Sequence, residues 1–365
     1  MIFYFGIFGF FFLCSLLEVY AIQKKEAYLI FFHLAFFCFL LATFKARGLG
    51  TDSSAYEQYF YTRKSFFQPT DMEWLFSRLV EFVRIVFINY TVLLAILSFF
   101  LYKFEILIIK KWSVYPITSL FYMWATCCNY VFFVRQIVAM FIIVYAVRYI
   151  NENRKWRFII TVLIASLIHI SSVFFIIAWF IWKIRFTKKQ YLILFIIFSF
   201  IFPGVLKFLI PRIISIVHFP RIIQHRINIY FINPDQRFQH NFLILIKGLI
   251  NQAFLLILIF FNYSKLENNQ KDFKGWFNLV WFGGIIYCTT IQIHIQLARF
   301  SYPYMVGYMI LYPSLIKTLC KDKKFGFLFH ILLTLYIFLR YFVYLRQNAT
   351  IIPYEIYMGT GDLYY

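Results

Sequence analysis

Acidic residues are scarce in this chain: fifteen Asp and Glu stand against thirty-six Lys and Arg, and charged residues of both signs make up only 14% of 365. Soluble domains carry about 25% charged and about 45–50% apolar residues. A chain that is 62% hydrophobic and 24% aromatic has more apolar surface than a soluble core can hide. No acidic cluster calls for a metal. The six cysteines, Cys14, Cys38, Cys127, Cys128, Cys288 and Cys320, show neither a repeated Cys-x-x-Cys nor a His/Cys ligand spacing, so neither a zinc site nor a disulfide framework is indicated. A basic n-region is also missing from Met1 to Ala21, and the nearest cations, Lys24 and Lys25, follow it. The expectation is a retained first span with its N-terminus outside, not a cleaved signal peptide.

What is present is a succession of apolar runs. A helix needs roughly 20 apolar residues to cross a hydrocarbon layer about 30 Å thick, so the length accommodates about ten full transmembrane helices. The expected fold is an all-α polytopic membrane protein, a single transmembrane domain over residues 1–365. Lys-rich stretches follow alternate spans, at Lys24-Lys25, Lys110-Lys111, Arg154–Arg157, Lys183–Lys189, Lys265–Lys274 and Lys317–Lys324. Placed in the cytoplasm, they set the topology. Outer loops then fall at about 45–89 and 211–241, with an outer C-terminal tail at 341–365. Because the basic residues are divided among many short loops, the net charge of +21 is a topology signal and no nucleic-acid partner is expected.

Arg157 to Trp182 is too short for two spans, and as one span it would invert every later assignment. A broken-helix hairpin near 157–182 is the preferred reading, with His169-Ile-Ser-Ser172 at its tip facing a cavity. In the first outer loop, Leu75, Phe76, Leu79, Val83 and Val86 recur at helical spacing opposite Glu73, Ser77, Glu81 and Arg84. That pattern predicts an amphipathic helix lying at the interface.

The type of cation differs by side. On this topology sixteen of the twenty inner basic residues are lysine, whereas twelve of the sixteen outer ones are arginine. Topology selection does not distinguish the two. A guanidinium fork matches phosphate bidentately and keeps its charge when half-buried, so the outer arginines point to a phosphorylated anion. The alternative is pairing with Asp52, Glu57, Asp71, Glu73, Glu81, Asp235 and Glu355, or snorkelling to headgroups. Arg135 and Arg299 stand out because each adjoins an apolar span, where an ionised side chain is costly.

Several patterns then gain a context together. They are Arg47-Gly-Leu-Gly-Thr-Asp52 followed by Tyr56 and Tyr59, Glu73-Trp-Leu-Phe76, Val134-Arg-Gln-Ile-Val-Ala139, Ala165-Ser-Leu-Ile-His169-Ile-Ser-Ser172, Arg299-Phe-Ser-Tyr-Pro-Tyr304 and Ile352-Pro-Tyr354. In this order, over most of the chain, they resemble the EpsG/Wzy type of bacterial polysaccharide polymerase. The resemblance implies a fold similar to the GT-C glycosyltransferases, in the bacterial plasma membrane, with a cavity opening to the periplasm or exterior. It also implies a donor glycan on undecaprenyl pyrophosphate, a chain-length regulator as a further partner, and no cofactor.

Under that resemblance the pyrophosphate would be held by Arg135, Arg299 and Arg47, with Arg221 and Arg226 as a further clamp. The acceptor hydroxyl needs a base, and His169 and Asp52 are the candidates. Tyr56, Tyr59, Gln136 and Tyr302 are the glycan-binding candidates, although tyrosines at these positions fit an interfacial aromatic belt equally well. An O-antigen ligase, a lipid-linked oligosaccharide flippase and a membrane O-acyltransferase remain alternatives. The long outer loops favour an enzyme over a flippase.

Overall fold

In a chain this apolar the backbone N–H and C=O groups meet little water, and the α-helix satisfies them within one segment. The computed structural model describes residues 1–46, 49–50, 53–62, 72–127, 135–216, 242–320, 323–347 and 351–356. Within them the regular structure is helical, with one isolated antiparallel bridge between Lys45 and Ile356. In chain order the α-helices are α1 Ile2–Tyr20, α2 Lys24–Thr43, α3 Ser53–Thr62, α4 Trp74–Phe87, α5 Tyr90–Trp112, α6 Pro116–Cys127, α7 Arg135–Asn151, α8 Lys155–Ser166 and α9 Ala178–Ile181. They continue as α10 Lys188–Ile196, α11 Phe202–Ile216, α12 Phe242–Phe261, α13 Tyr263–Asn269, α14 Phe273–Ile291, α15 Tyr302–Met305, α16 Tyr308–Leu319 and α17 Lys323–Gln347. Segments of 3-10 helix at Ile170–Ile177 and Ile295–Ser301 and a π-helical turn at Ile197–Ile201 interrupt the series.

Among the described residues five helical stretches are long and apolar enough to cross a membrane: Ile2–Tyr20, Lys24–Thr43, Tyr90–Trp112, Lys188–Leu206 and Phe325–Arg346. The composition had predicted about ten. Part of the remaining apolar sequence is cut into shorter pieces, such as α6 and α16 with 12 residues each. At 1.5 Å per residue such a helix covers only ~18 Å of a layer about 30 Å thick.

The interior is apolar, but so is much of the surface. In α1, Leu13 is 59% exposed while Glu18 is 5% exposed; in α5, Phe99 lies outside while Glu105 is fully buried. Apolar side chains turned outward around inward carboxylates are what a hydrocarbon solvent selects. Helix α4 divides the expected apolar stripe, with Phe76 and Val83 buried, Leu75 and Leu79 half-buried and Val86 exposed. It buries Phe76, Ser77, Val80, Glu81 and Val83 and exposes Trp74, Phe82, Ile85 and Val86. The periodicity was legible, but the buried face carries Ser77 and Glu81 beside Phe76, Val80 and Val83, so part of the expected polar side is turned inward.

The chain divides into two compact units, one of Met1–Ile176 with Tyr312–Tyr365 and one of Ile177–Leu311. In the first, α1 packs on α6 through Phe8 against Phe121 and Phe11 against Trp124. Glu18 seals this contact by accepting from the Ile117 and Thr118 backbone N–H groups at 2.9 and 2.7 Å and from the Thr118 hydroxyl at 2.8 Å. The first N–H groups of a helix have no partner within it, and here a carboxylate from a neighbouring helix supplies one. Segment 351–356 closes over the ends of α1 and α2. The Tyr354 hydroxyl donates to Leu41 O at 2.7 Å, the Tyr354 ring stacks on Phe3 at 4.8 Å, and Ala46 N–H donates to Glu355 O at 2.7 Å. The hairpin segment as far as Ile176 also belongs to this unit. Helix α8 stops at Ser166, and the Phe158 and Phe175 rings lie 6.3 Å apart across the break, so the chain doubles back at Leu167–His169.

The second unit is built around α14. Gly275 lies under the Trp182 indole, whose carbons would fall 2.1–2.4 Å from an added Cβ. Asn278 donates to the carbonyls of Ile181, Trp182 and Ile184, which end α9, and accepts from the Tyr191 hydroxyl. The π turn has a similar remedy. The Phe202 N–H bonds Ile197 O, which releases Phe198 O, and Pro203 has no N–H to offer Ser199 O. Thr289 Oγ1 donates to Phe198 O at 2.8 Å and Gln292 Nε2 to Ser199 O at 2.7 Å, so both freed carbonyls are satisfied.

Candidate functional site

The first unit gathers polar side chains from three separate parts of the sequence. Arg135 is the first residue of α7, Glu73 is the N-cap of α4, and His169 sits at the hairpin break. The helix ends explain the meeting. Leu75 and Phe76, in the first turn of α4, donate their N–H groups to Leu167 O at 2.9 and 3.4 Å. In return Glu73 Oε1 accepts the Ile170 N–H at 3.0 Å, the first donor of the 3-10 segment. Each element caps the other, and the two caps fix α4 against the hairpin tip.

Glu73 is the centre of the cluster. Its Oε2 accepts from Arg135, and its Oε1 lies 3.3 Å from His169 Nδ1, just outside good hydrogen-bond alignment. Burial pushes the Glu73 carboxyl up, but the contacts with His169, the Ile170 N–H and Arg135 more than offset this and hold it at about 2. It is therefore an anion throughout the neutral range. The guanidinium carbon of Arg135 is 5.4 Å from both the Tyr56 and the Phe76 ring centroids, within cation–π range. Two rings that meet edge-on at 5.7 Å thus set its plane.

Several nitrogens in this cluster, His169 Nδ1 among them, make no hydrogen bond among the described residues. Arg135 Nε is buried without a hydrogen bond. His169 Nε2 makes none among the described residues, and the His169 side chain is 17% exposed. The pair therefore keeps hydrogen-bonding capacity beyond its contacts with Glu73.

Of the other predicted residues, Tyr59 lies beside this site and shares a hydrogen bond with Ser77 Oγ at 3.0 Å, and Gln136 is the half-buried second residue of α7. Arg299 and Tyr302 belong to the second unit, on and just after the 3-10 segment Ile295–Ser301, and both are exposed. Arg299 has no ion-pair partner among the described residues. His294 opens the same segment and accepts the Gln296 N–H at 3.3 Å. Arg47, Asp52, Arg221 and Arg226 lie outside the described residues. A groove of about 700 Å³ between α1 and α2, lined by Phe3, Gly6, Phe10, His33 and Phe37 among others, is almost wholly apolar and holds none of these side chains. No group of three or more His, Cys, Asp or Glu suited to a metal occurs among the described residues.

Residues 28–356 match the model of the EpsG family. The chain belongs to the EpsG family. Membership suggests a polysaccharide polymerase and, with the apolar helices, supports a role in membrane polysaccharide biosynthesis. Comparison with curated proteins and with solved structures found no match. Within this EpsG-family protein the residue that sequence reasoning undervalued is Glu73. It had been placed on the polar face of α4 and among the possible partners of outer arginines, and the signal that distinguishes it is position. It stands at a helix start, in a chain with few acids, directly before the tryptophan of a family-like motif.

Proposed function

We propose that the protein elongates a lipid-linked glycan at the outer face of the bacterial plasma membrane, within a GT-C-like fold. The donor is a growing chain on undecaprenyl pyrophosphate, and the acceptor is a hydroxyl of the next lipid-linked repeat unit. The observation that carries this reading is the Arg135–Glu73–His169 cluster, which sets a guanidinium suited to phosphate and an imidazole suited to act as base on the two oxygens of one carboxylate. Family membership supports the reaction class.

In the reaction, the acceptor oxygen bonds the anomeric carbon while its proton passes to His169 Nε2. The bond from that carbon to the pyrophosphate oxygen breaks, and its electron pair leaves on the pyrophosphate. Charge therefore builds on the leaving group, where Arg135 acts; Arg47, Arg221, Arg226 and Arg299 are further candidates for phosphate binding by sequence. Asp52 is the second candidate base, and Tyr56, Tyr59, Gln136 and Tyr302 offer surfaces for sugar.

The test is gel analysis of surface polysaccharide from a strain deleted for the gene and complemented with variants. The deletion should lose the ladder yet keep a core carrying one repeat unit; loss of even that form would favour flippase or ligase, and an unchanged ladder an acyltransferase. Complementation with Arg135→Ala or His169→Ala should restore the protein to the membrane without the ladder. A general base contributes about 10²–10⁴-fold, so near-normal ladders from both variants would exclude this site.

A further inference from the structure

We infer that Glu73 is a positioning residue for the transfer step, acting through His169 and Arg135 without touching substrate. The inference rests on the proposed function, because it assigns Glu73 a part in the same site. It starts from the two oxygens of one carboxylate. Oε1 faces His169 Nδ1 at 3.3 Å and takes the Ile170 N–H at 3.0 Å, while Oε2 takes Arg135.

The consequences for histidine follow from the chemistry of imidazole. A neutral ring has one N–H and one lone pair, and the partner of one nitrogen decides which is which. An anion beside Nδ1 keeps the proton there, so the lone pair is presented at Nε2. When the acceptor hydroxyl yields its proton to Nε2, the ring becomes a cation facing Glu73, and the 3.3 Å contact strengthens at the moment charge appears. The anchoring through Ile170, the next residue in the chain, fixes the backbone that carries the ring. Glu73 thereby acts on orientation and on developing charge together.

For arginine the effect has the opposite sign. Glu73 and the two flanking rings hold the guanidinium in place, but the ion pair also competes with phosphate for it. Removing the charge of Glu73 should weaken the chemical step without weakening donor binding. A merely structural carboxylate would not separate these quantities, since loosening α4 from the hairpin would impair both.

The experiment measures elongation by membranes supplied with lipid-linked repeat units extracted from the deletion strain, with kcat expressed per immunoblotted protein. Glu73→Gln keeps an amide oxygen for the Ile170 N–H and removes the charge. The expected result is a kcat lowered about a hundredfold, in the range of a misdirected general base, with KM for the extracted units unchanged or lower. Glu73→Asp, which keeps the charge, should recover part of the loss. A kcat for Glu73→Gln within about threefold of the parent, well under the general-base range, overturns the inference, and so do equal losses in the Gln and Asp variants or a raised KM. Near-normal activity of His169→Ala in the same assay would sink the base assignment itself, whereas loss in His169→Ala with full activity in Glu73→Gln would reject Glu73 alone.

Discussion

Lys45 shows how much one buried charge can report. It is 2% exposed, just beyond the end of α2, at the bridge to Ile356, and burial pushes its ammonium down from the ordinary lysine range to about 7. Between that value and the usual ~10.4, the unfolded chain holds a proton that the folded chain lacks, so folding becomes more favourable as pH rises through this window. Detergent-solubilised protein should therefore gain thermal stability from neutral to alkaline pH, and Lys45→Met should flatten that gain. Equal slopes for parent and variant would show that Lys45 is protonated in both states. Glu73 runs the other way: its depressed carboxyl lends stability above the usual carboxylate range that is lost as pH falls toward about 2.

Among elements, the π turn of the Lys188–Leu206 stretch yields the sharpest prediction. Gln292→Leu leaves Ser199 O unsatisfied among apolar neighbours, at a cost of about 1–3 kcal/mol. Pro203→Ala restores the missing N–H, so the same Gln292→Leu change should cost less in that background. A thermal double-mutant cycle reads the difference, and strict additivity would mean that Gln292 and Pro203 are not linked through this carbonyl. The elements also show what could be read in the sequence. The break at His169 was legible because Arg157–Trp182 is the wrong length for either one span or two. The amphipathic character of α4 was legible from spacing, but not that Ser77 and Glu81 share its buried face with Phe76 and Val83. The π turn was not anticipated; its cause lies in one proline and two side chains about ninety residues away.

At the scale of the whole molecule, hydropathy revealed the solvent and the helical class but not how many helices span it, because a window average does not see where helices stop. Arg135 drew attention because a cation beside an apolar span is expensive and His169 because it falls at the predicted break; that Glu73 joins them was not legible, because these partners are 62 and 96 residues distant. The hairpin itself can be tested by labelling. Cysteines introduced at Asn153 and Thr187 should react with an impermeant reagent from the same side of the membrane. Reaction from opposite sides would replace the hairpin with a single crossing and invert every later loop.

The closure by segment 351–356 has a consequence in time. It joins Tyr4, Leu41 and Ala46 to residues synthesised about three hundred positions later. Helices α1 and α2 enter the bilayer long before their clasp exists. The contacts at Leu41, Lys45 and Ala46 are thus made only once residues 351–356 have been synthesised, and a chain terminated before them would lack this fastening however well its helices had inserted.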